Sequence, residues 1–144
     1  MRAQVPVLLI SMLVACSPPP KAVTSLMAAQ DALTRIQAIP QADPSKFSGV
    51  RDMKAWRNPY LIVTKDGTSL LDMSNNEQRP LKDDAVLAAL AALPDSAWPY
   101  GRVVAVREDA ATNDNDKVAL RRSRGVLAGT LESAKILINW VPST

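Results

Sequence analysis

The stretch YLIVTKDGTSLLDM, residues 60–73, most restricts the folds open to this chain. Two β-prone runs flank the pair Asp66-Gly67, and this pair tolerates the positive φ angles of a tight turn. The pattern therefore predicts a β-hairpin. We expect the compact part of the chain to begin just before it, near Trp56.

Two helices and two further strands are predicted after the hairpin. The first helix lies within LKDDAVLAALAALP, with Asp83 or Asp84 as N-cap and Pro94 at its end. RVVAVR is continuously apolar over residues 103–106, which suits a strand covered on both faces. Asp116 is the expected cap of the second helix, and KILINWV is the last strand. The remaining evidence is apolar periodicity, with one helical face carrying Leu120, Leu127 and Leu131 and one strand face carrying Ile136, Ile138 and Trp140.

The resulting element order, ββαβαβ, implies an α/β fold. A helix between successive strands of one sheet must pack back on that sheet, so we expect a two-layer sandwich with one mixed sheet and two helices. A tether and an amphipathic helix precede it. That helix carries Leu26, Ala29, Leu33 and Ile36 at helical spacing and stops at Pro40. The predicted divisions are a signal peptide over residues 1–15, the tether, helix and linker over 16–55, and the α/β domain over 56–144.

The N-terminal segment VPVLLISMLVAC is too short to cross a bilayer, which takes ~20 apolar residues. It is typical of an export signal, with Arg2 as a thin positive region and Ala15 directly before Cys16. LVAC resembles a bacterial lipobox. The resemblance implies that Cys16 is diacylated, that the chain is cut before it, and that Ser17 is compatible with transfer to the outer membrane. The alternative is a small buried cysteine at the edge of a core helix.

Composition excludes several functions. The chain has no histidine, so it cannot build a Ser-His-Asp triad, a Cys-His pair or a histidine-bearing zinc site. The acidic run around Asp114 lacks the glycine and glutamate that an EF-hand requires, and no phosphate-binding loop is present. The net charge of +3 is a small excess that does not favour nucleic acid as a partner. We expect no metal, no cofactor and no enzymatic activity.

The domain resembles the periplasmic domain of ExbD and TolR over residues 60–141. Proteins of that family show a strand, an Asp-Gly turn, a second strand, a helix, a buried strand, a helix and a final strand. The present chain departs from them because it has a lipoprotein signal in place of a transmembrane helix with a buried aspartate. The resemblance therefore implies a passive relative that dimerises or contacts an envelope partner or the cell wall.

A second resemblance is to OmpA-like peptidoglycan-binding domains. VVAVRED followed by NDKVALRRSRGV aligns Asp109, Asn115 and Arg122 with the family's ligand-binding aspartate, asparagine and arginine. A carboxylate and a guanidinium side by side suit the zwitterionic end of a stem peptide. The alternative is an acidic loop and a solvated helix face with no ligand.

Together these patterns predict a lipid-anchored cell-envelope protein, facing the periplasm from the outer membrane, with a non-catalytic binding or scaffold domain. The alternatives are a peptidoglycan-contacting lipoprotein and a small periplasmic enzyme. Trp56 and Trp98 flank prolines in loops, and we expect them to pack over the ends of the sheet. Exposed recognition residues are the other interpretation.

Overall fold

The fold is a five-stranded mixed sheet whose three longest helices pack on one face. In the computed structural model, Ser17 and residues 20–143 are described, so Cys16 and the predicted signal peptide lie outside them. The helices are α1 (Lys21–Ala38), α2 (Pro44–Phe47), α3 (Val86–Ala91) and α4 (Asp114–Ser133). The strands are β1 (Tyr60–Thr64), β2 (Gly67–Asp72), β3 (Glu77–Leu81), β4 (Val103–Glu108) and β5 (Leu137–Val141). Within the described residues, no helix is long and apolar enough to span a bilayer.

The strands lie in the order β3-β2-β1-β4-β5. β1 pairs antiparallel with β2 and parallel with β4, β2 pairs antiparallel with β3, and β4 pairs parallel with β5. The expected α/β sandwich with one mixed sheet is therefore confirmed, and so is the hairpin, whose turn uses Gly67 at a φ of 136°.

Strand β3 is an addition to the predicted order. Its sequence, EQRPL, has no apolar alternation, and only Leu81 is partly buried. An edge strand requires backbone pairing on one side only, and there a proline is tolerated. The turn before it is fixed by Asp72, which accepts hydrogen bonds from the amide and hydroxyl of Ser74, and by Asn76 at a φ of 58°. The observed order is thus βββαβαβ.

Both helix caps differ from the expected ones. Asp83 and Asp84 lie in a 3-10 turn before α3, and neither makes a side-chain cap hydrogen bond. The cap of α4 is Asn113, whose Oδ1 accepts a hydrogen bond of 2.9 Å from the amide of Asp116. Asp116 lies in the first turn instead, and its carboxylate accepts from the amide and hydroxyl of Thr112. The two side chains therefore divide the capping of α4 between them.

The core consists of two clusters, one on each face of the sheet, and β4 contributes side chains to both. Val104 and Val106 belong to a cluster under the helices, whereas Val103 and Ala105 belong to a cluster on the opposite face. All four side chains are fully buried, which confirms the predicted double coverage of this strand. Trp56 and Trp98 are 2% and 5% exposed, so packing is the correct interpretation of both.

Residues before Trp56 also pack against the sheet. Ile36 of α1 is fully buried in the cluster under the helices, and Phe47 of α2 contacts the ring of Trp56 at 5.8 Å on the opposite face. Backbone hydrogen bonds join this segment to the loop before β4, from Asp43 N to Tyr100 O and from Arg102 N to Pro40 O, each 2.9 Å long. By contrast, residues 21–31 of α1 are exposed.

Candidate functional site

A groove of ≈ 760 Å³ lies where β1 begins, β2 ends and β3 begins. We call it the end groove. Its size falls within the range of small-ligand pockets, ~300–1,000 Å³. Its floor is largely apolar and is formed by Pro59, Tyr60, Leu71, Met73, Leu93 and Ala97.

Charges of both signs line the rim of the end groove. Arg57 and Arg79 supply the cations, and Asp72 and Glu77 supply the carboxylates. Among the described residues, none of these four side chains has an ion-pair partner within 4 Å. The guanidinium groups in particular are available to a ligand, because Arg donates in a planar fork that matches a carboxylate.

The titration of two groove residues is shifted by their surroundings. The hydroxyl of Ser74, which donates to Asp72 over 2.6 Å, lowers the pKa of that carboxyl below its ordinary value. Burial raises the pKa of the Tyr60 hydroxyl, with Arg107 acting in the opposite direction. Asp72 is therefore ionised and Tyr60 neutral at pH 7, so the groove is lined by one fixed negative charge and one neutral phenol.

Asn58 holds the wall of the end groove in place. Its side chain is buried, and its Nδ2 donates to the carbonyls of Gly101 and Val103 over 2.7 and 2.8 Å. Its Oδ1 accepts from the amide of Tyr100 over 2.9 Å. No motif in the sequence singles out Asn58 as a functional residue. The available signal was an Asn-Pro pair directly before a strand, which marks a loop without indicating these distant partners.

A second groove, of ≈ 400 Å³, lies at the carboxyl ends of the parallel strands β1 and β4, where α/β proteins often bind ligands. Lys65, Asp109 and Asp116 line it. Lys65 Nζ lies 3.8 Å from Asp116 Oδ1. The hydroxyl of Thr112 is the main cause that lowers the pKa of Asp116, and Lys65 contributes to the same shift. The contacts between Thr112 and Asp116 also cap α4. The polar groups of this groove therefore stabilise the fold.

The predicted ligand residues Asp109, Asn115 and Arg122 do not meet in one site. Asp109 follows β4, and its nearest cation is Arg107 at 3.7 Å. Asn115 and Arg122 are both exposed on α4. At ~100° per residue, Arg122 points to the side of the helix opposite the buried Leu120, away from the sheet. The peptidoglycan-contacting alternative therefore has no shared Asp109–Arg122 geometry behind it.

A third surface follows the outer edge of β5, a groove of ≈ 440 Å³ lined by Leu137 and Trp140 among others. Trp140 is 39% exposed, and the guanidinium of Arg124 lies 4.1 Å from its ring centroid. Arg124 also pairs with Glu108 at 3.3 Å. This series of contacts joins α4 to the edge of the sheet, so Trp140 has a packing role despite its exposure.

No cluster of three or more His, Cys, Asp or Glu side chains suited to a metal ion occurs in the described part of the chain. The acidic side chains at the start of α4 have protein partners instead. Asp114 pairs with Lys117 at 3.0 Å, and Asp116 is held by Thr112.

Comparison of the chain with known protein families, curated proteins and solved structures finds no match. The lipobox, ExbD/TolR and OmpA-like resemblances therefore stay predictions.

Proposed function

We propose that this protein is a lipid-anchored cell-envelope protein whose non-catalytic domain binds a segment of a partner polypeptide in the end groove. Cys16 attaches the protein to the membrane, and the domain faces the periplasm. The lipobox-like LVAC followed by SPPPK supports the anchor. The absence of histidine from the sequence supports binding in preference to acid–base or nucleophilic catalysis.

The observation that carries the binding proposal is the combination of an apolar floor with unpaired charges on the rim. Leu71, Leu93 and Met73 offer apolar area that a partner side chain would cover. Arg79 and Glu77 stand on the exposed edge strand β3 without ion-pair partners among the described residues. A peptide segment suits such a groove because it presents apolar side chains together with charges and backbone groups.

Site-specific crosslinking tests the groove. A photoreactive residue at Gln78, on the rim, should crosslink a partner protein in native membranes. The same probe combined with Arg79→Glu should give several-fold less product, because a rim cation has become an anion. Arg121→Glu is the matched control, since Arg121 is exposed on α4 and does not line the end groove. Crosslinking that is equal in both variants, or absent from the parent protein, would refute binding in the end groove.

Metabolic labelling with palmitate tests the anchor separately. Cys16→Ser removes the thiol that would carry the diacyl group, so labelling and mature cleavage should both be lost. Two or three acyl chains, at ~0.8 kcal/mol per buried methylene, hold a protein on a bilayer where one myristoyl chain is marginal. Undiminished palmitate incorporation in Cys16→Ser would show that the lipoprotein proposal is wrong.

A further inference from the structure

The N-terminal half of α1 carries an apolar stripe that the domain does not cover. Val23, Leu26 and Met27 are 43%, 71% and 61% exposed. At ~100° per residue these three positions share one side of the helix, rotated away from the side on which Ala32 and Ile36 are buried. The stripe therefore points to surroundings other than the protein core.

The position of the stripe in the chain indicates what those surroundings are. Only four residues separate Cys16 from Lys21, so the chain between them spans at most about 18 Å. Acyl chains on Cys16 lie within the bilayer, and the headgroup region adds only ~5–8 Å on each side. The first turns of α1 are thus confined to the neighbourhood of the membrane surface.

The charge of this segment suits the same surface. From Ser17 to Gln30 the sequence has no acidic residue and one cation, Lys21, and the first carboxylate is that of Asp31. The helix begins without an acidic side chain in its first turn, so the positive end of its dipole stays uncompensated there. Anionic headgroups would therefore meet no repelling carboxylate between Lys21 and Gln30.

We propose that Val23, Leu26 and Met27 form a second membrane contact, in which α1 lies on the bilayer that holds the acyl chains of Cys16. The inference rests on the proposed lipid anchor. The acyl chains keep the helix close to the bilayer, and the apolar stripe fixes how it lies there. The domain is then held at a defined height and orientation, which a flexible tether alone would not provide.

The experiment uses the lipidated protein in vesicles of phosphatidylethanolamine and phosphatidylglycerol. Because Cys16 is the only cysteine in the chain and its thiol is consumed by the lipid, a second cysteine takes an environment-sensitive NBD probe selectively. Met27→Cys places the probe on the stripe, and Ser25→Cys places it on the other side of the same turn. Met27→Cys should show blue-shifted emission and loss of quenching by aqueous iodide, whereas Ser25→Cys should stay fully quenched.

Adding Leu26→Glu to the Met27→Cys protein should return its probe to water, because the stripe loses its most exposed apolar member. Iodide quenching of an acylated Met27→Cys protein equal to that of Ser25→Cys would overturn the membrane contact and leave the anchor intact. Mass spectrometry of the same preparation separates the two proposals, since a chain without acyl groups on Cys16 overturns both.

Discussion

Single polar side chains fix the loops that shape the end groove, and Asn58 is the principal one. Asn58→Ala would leave the amide of Tyr100 and the carbonyls of Gly101 and Val103 buried without these partners. A buried unsatisfied group costs ~1–3 kcal/mol, so we expect the free energy of unfolding to fall by at least about 2 kcal/mol in urea titrations.

The control for that variant is Asn115→Ala, which truncates the same residue type at an exposed position. It should change stability by no more than about 0.5 kcal/mol. Equal stability of the two variants would contradict the role assigned to Asn58.

Asp116 is a single residue that makes the free energy of unfolding depend on pH. Its pKa is lowered in the folded protein by the Thr112 hydroxyl and by Lys65. A depressed folded pKa contributes stability above the unfolded value, ~3.9, and this contribution is lost as pH falls through the folded pKa. Asp116→Asn should therefore lower the melting temperature at pH 7 and reduce its dependence on pH below about 4. Asp84→Asn, at an exposed position without a cap hydrogen bond, is the matched control and should leave the melting temperature at pH 7 unchanged.

At the scale of elements, helix α1 has two halves with different roles. Ile36 is fully buried in the cluster under the helices, whereas Leu26 is 71% exposed. Ile36→Ala should lower the free energy of unfolding by ~2–5 kcal/mol because it removes core contacts and leaves a cavity. Leu26→Ala should change the free energy of unfolding by no more than about 0.5 kcal/mol. Chemical denaturation of both variants checks the division, and equal losses would contradict it.

At the scale of the whole molecule, the packing bears on where the folding unit begins. A chain from Asp52 to Thr144 keeps all five strands but lacks Ile36 and Phe47, which fill the two core clusters from outside it. We expect this fragment to unfold at a lower temperature and less cooperatively than the chain from Lys21 to Thr144. Calorimetric traces that coincide would support the predicted boundary near Trp56.

Much of the sheet could be predicted because its signals are local. Asp66-Gly67 lies between two β-prone runs, and the buried strand β4 is apolar at four consecutive positions. Strand β3 could not be predicted, since EQRPL pairs through its backbone and buries almost no side chain. The side chains that cover the sheet face opposite α1, α3 and α4 could not be predicted either. Phe47 lies in a stretch rich in polar residues, and of its two aromatic partners, Trp56 and Tyr100, the second is remote in sequence.

The candidate site was not visible in the sequence for a related reason. The end groove is assembled from the loop before β1, the hairpin of β2 and β3, and the loop after α3, so no contiguous motif marks it. The predicted Asp109–Arg122 pair rested on alignment along one short segment. That segment does not specify which way each helix position points until the helix is docked on the sheet.

The parallel pairing of β1 with β4 governs when this protein can acquire its shape during synthesis. Tyr60 pairs with Ala105, and β4 reaches its other neighbour only through α4 and β5, the last elements of the described chain. Contacts so distant in sequence form slowly, because a long loop must close before they contribute. A nascent chain bearing α1 and the β1–β3 meander therefore lacks β4, a strand buried on both faces of the sheet, and stays open until its C-terminal third has emerged. Under the export that we propose, this delay would let the unfolded chain cross the membrane before the domain folds.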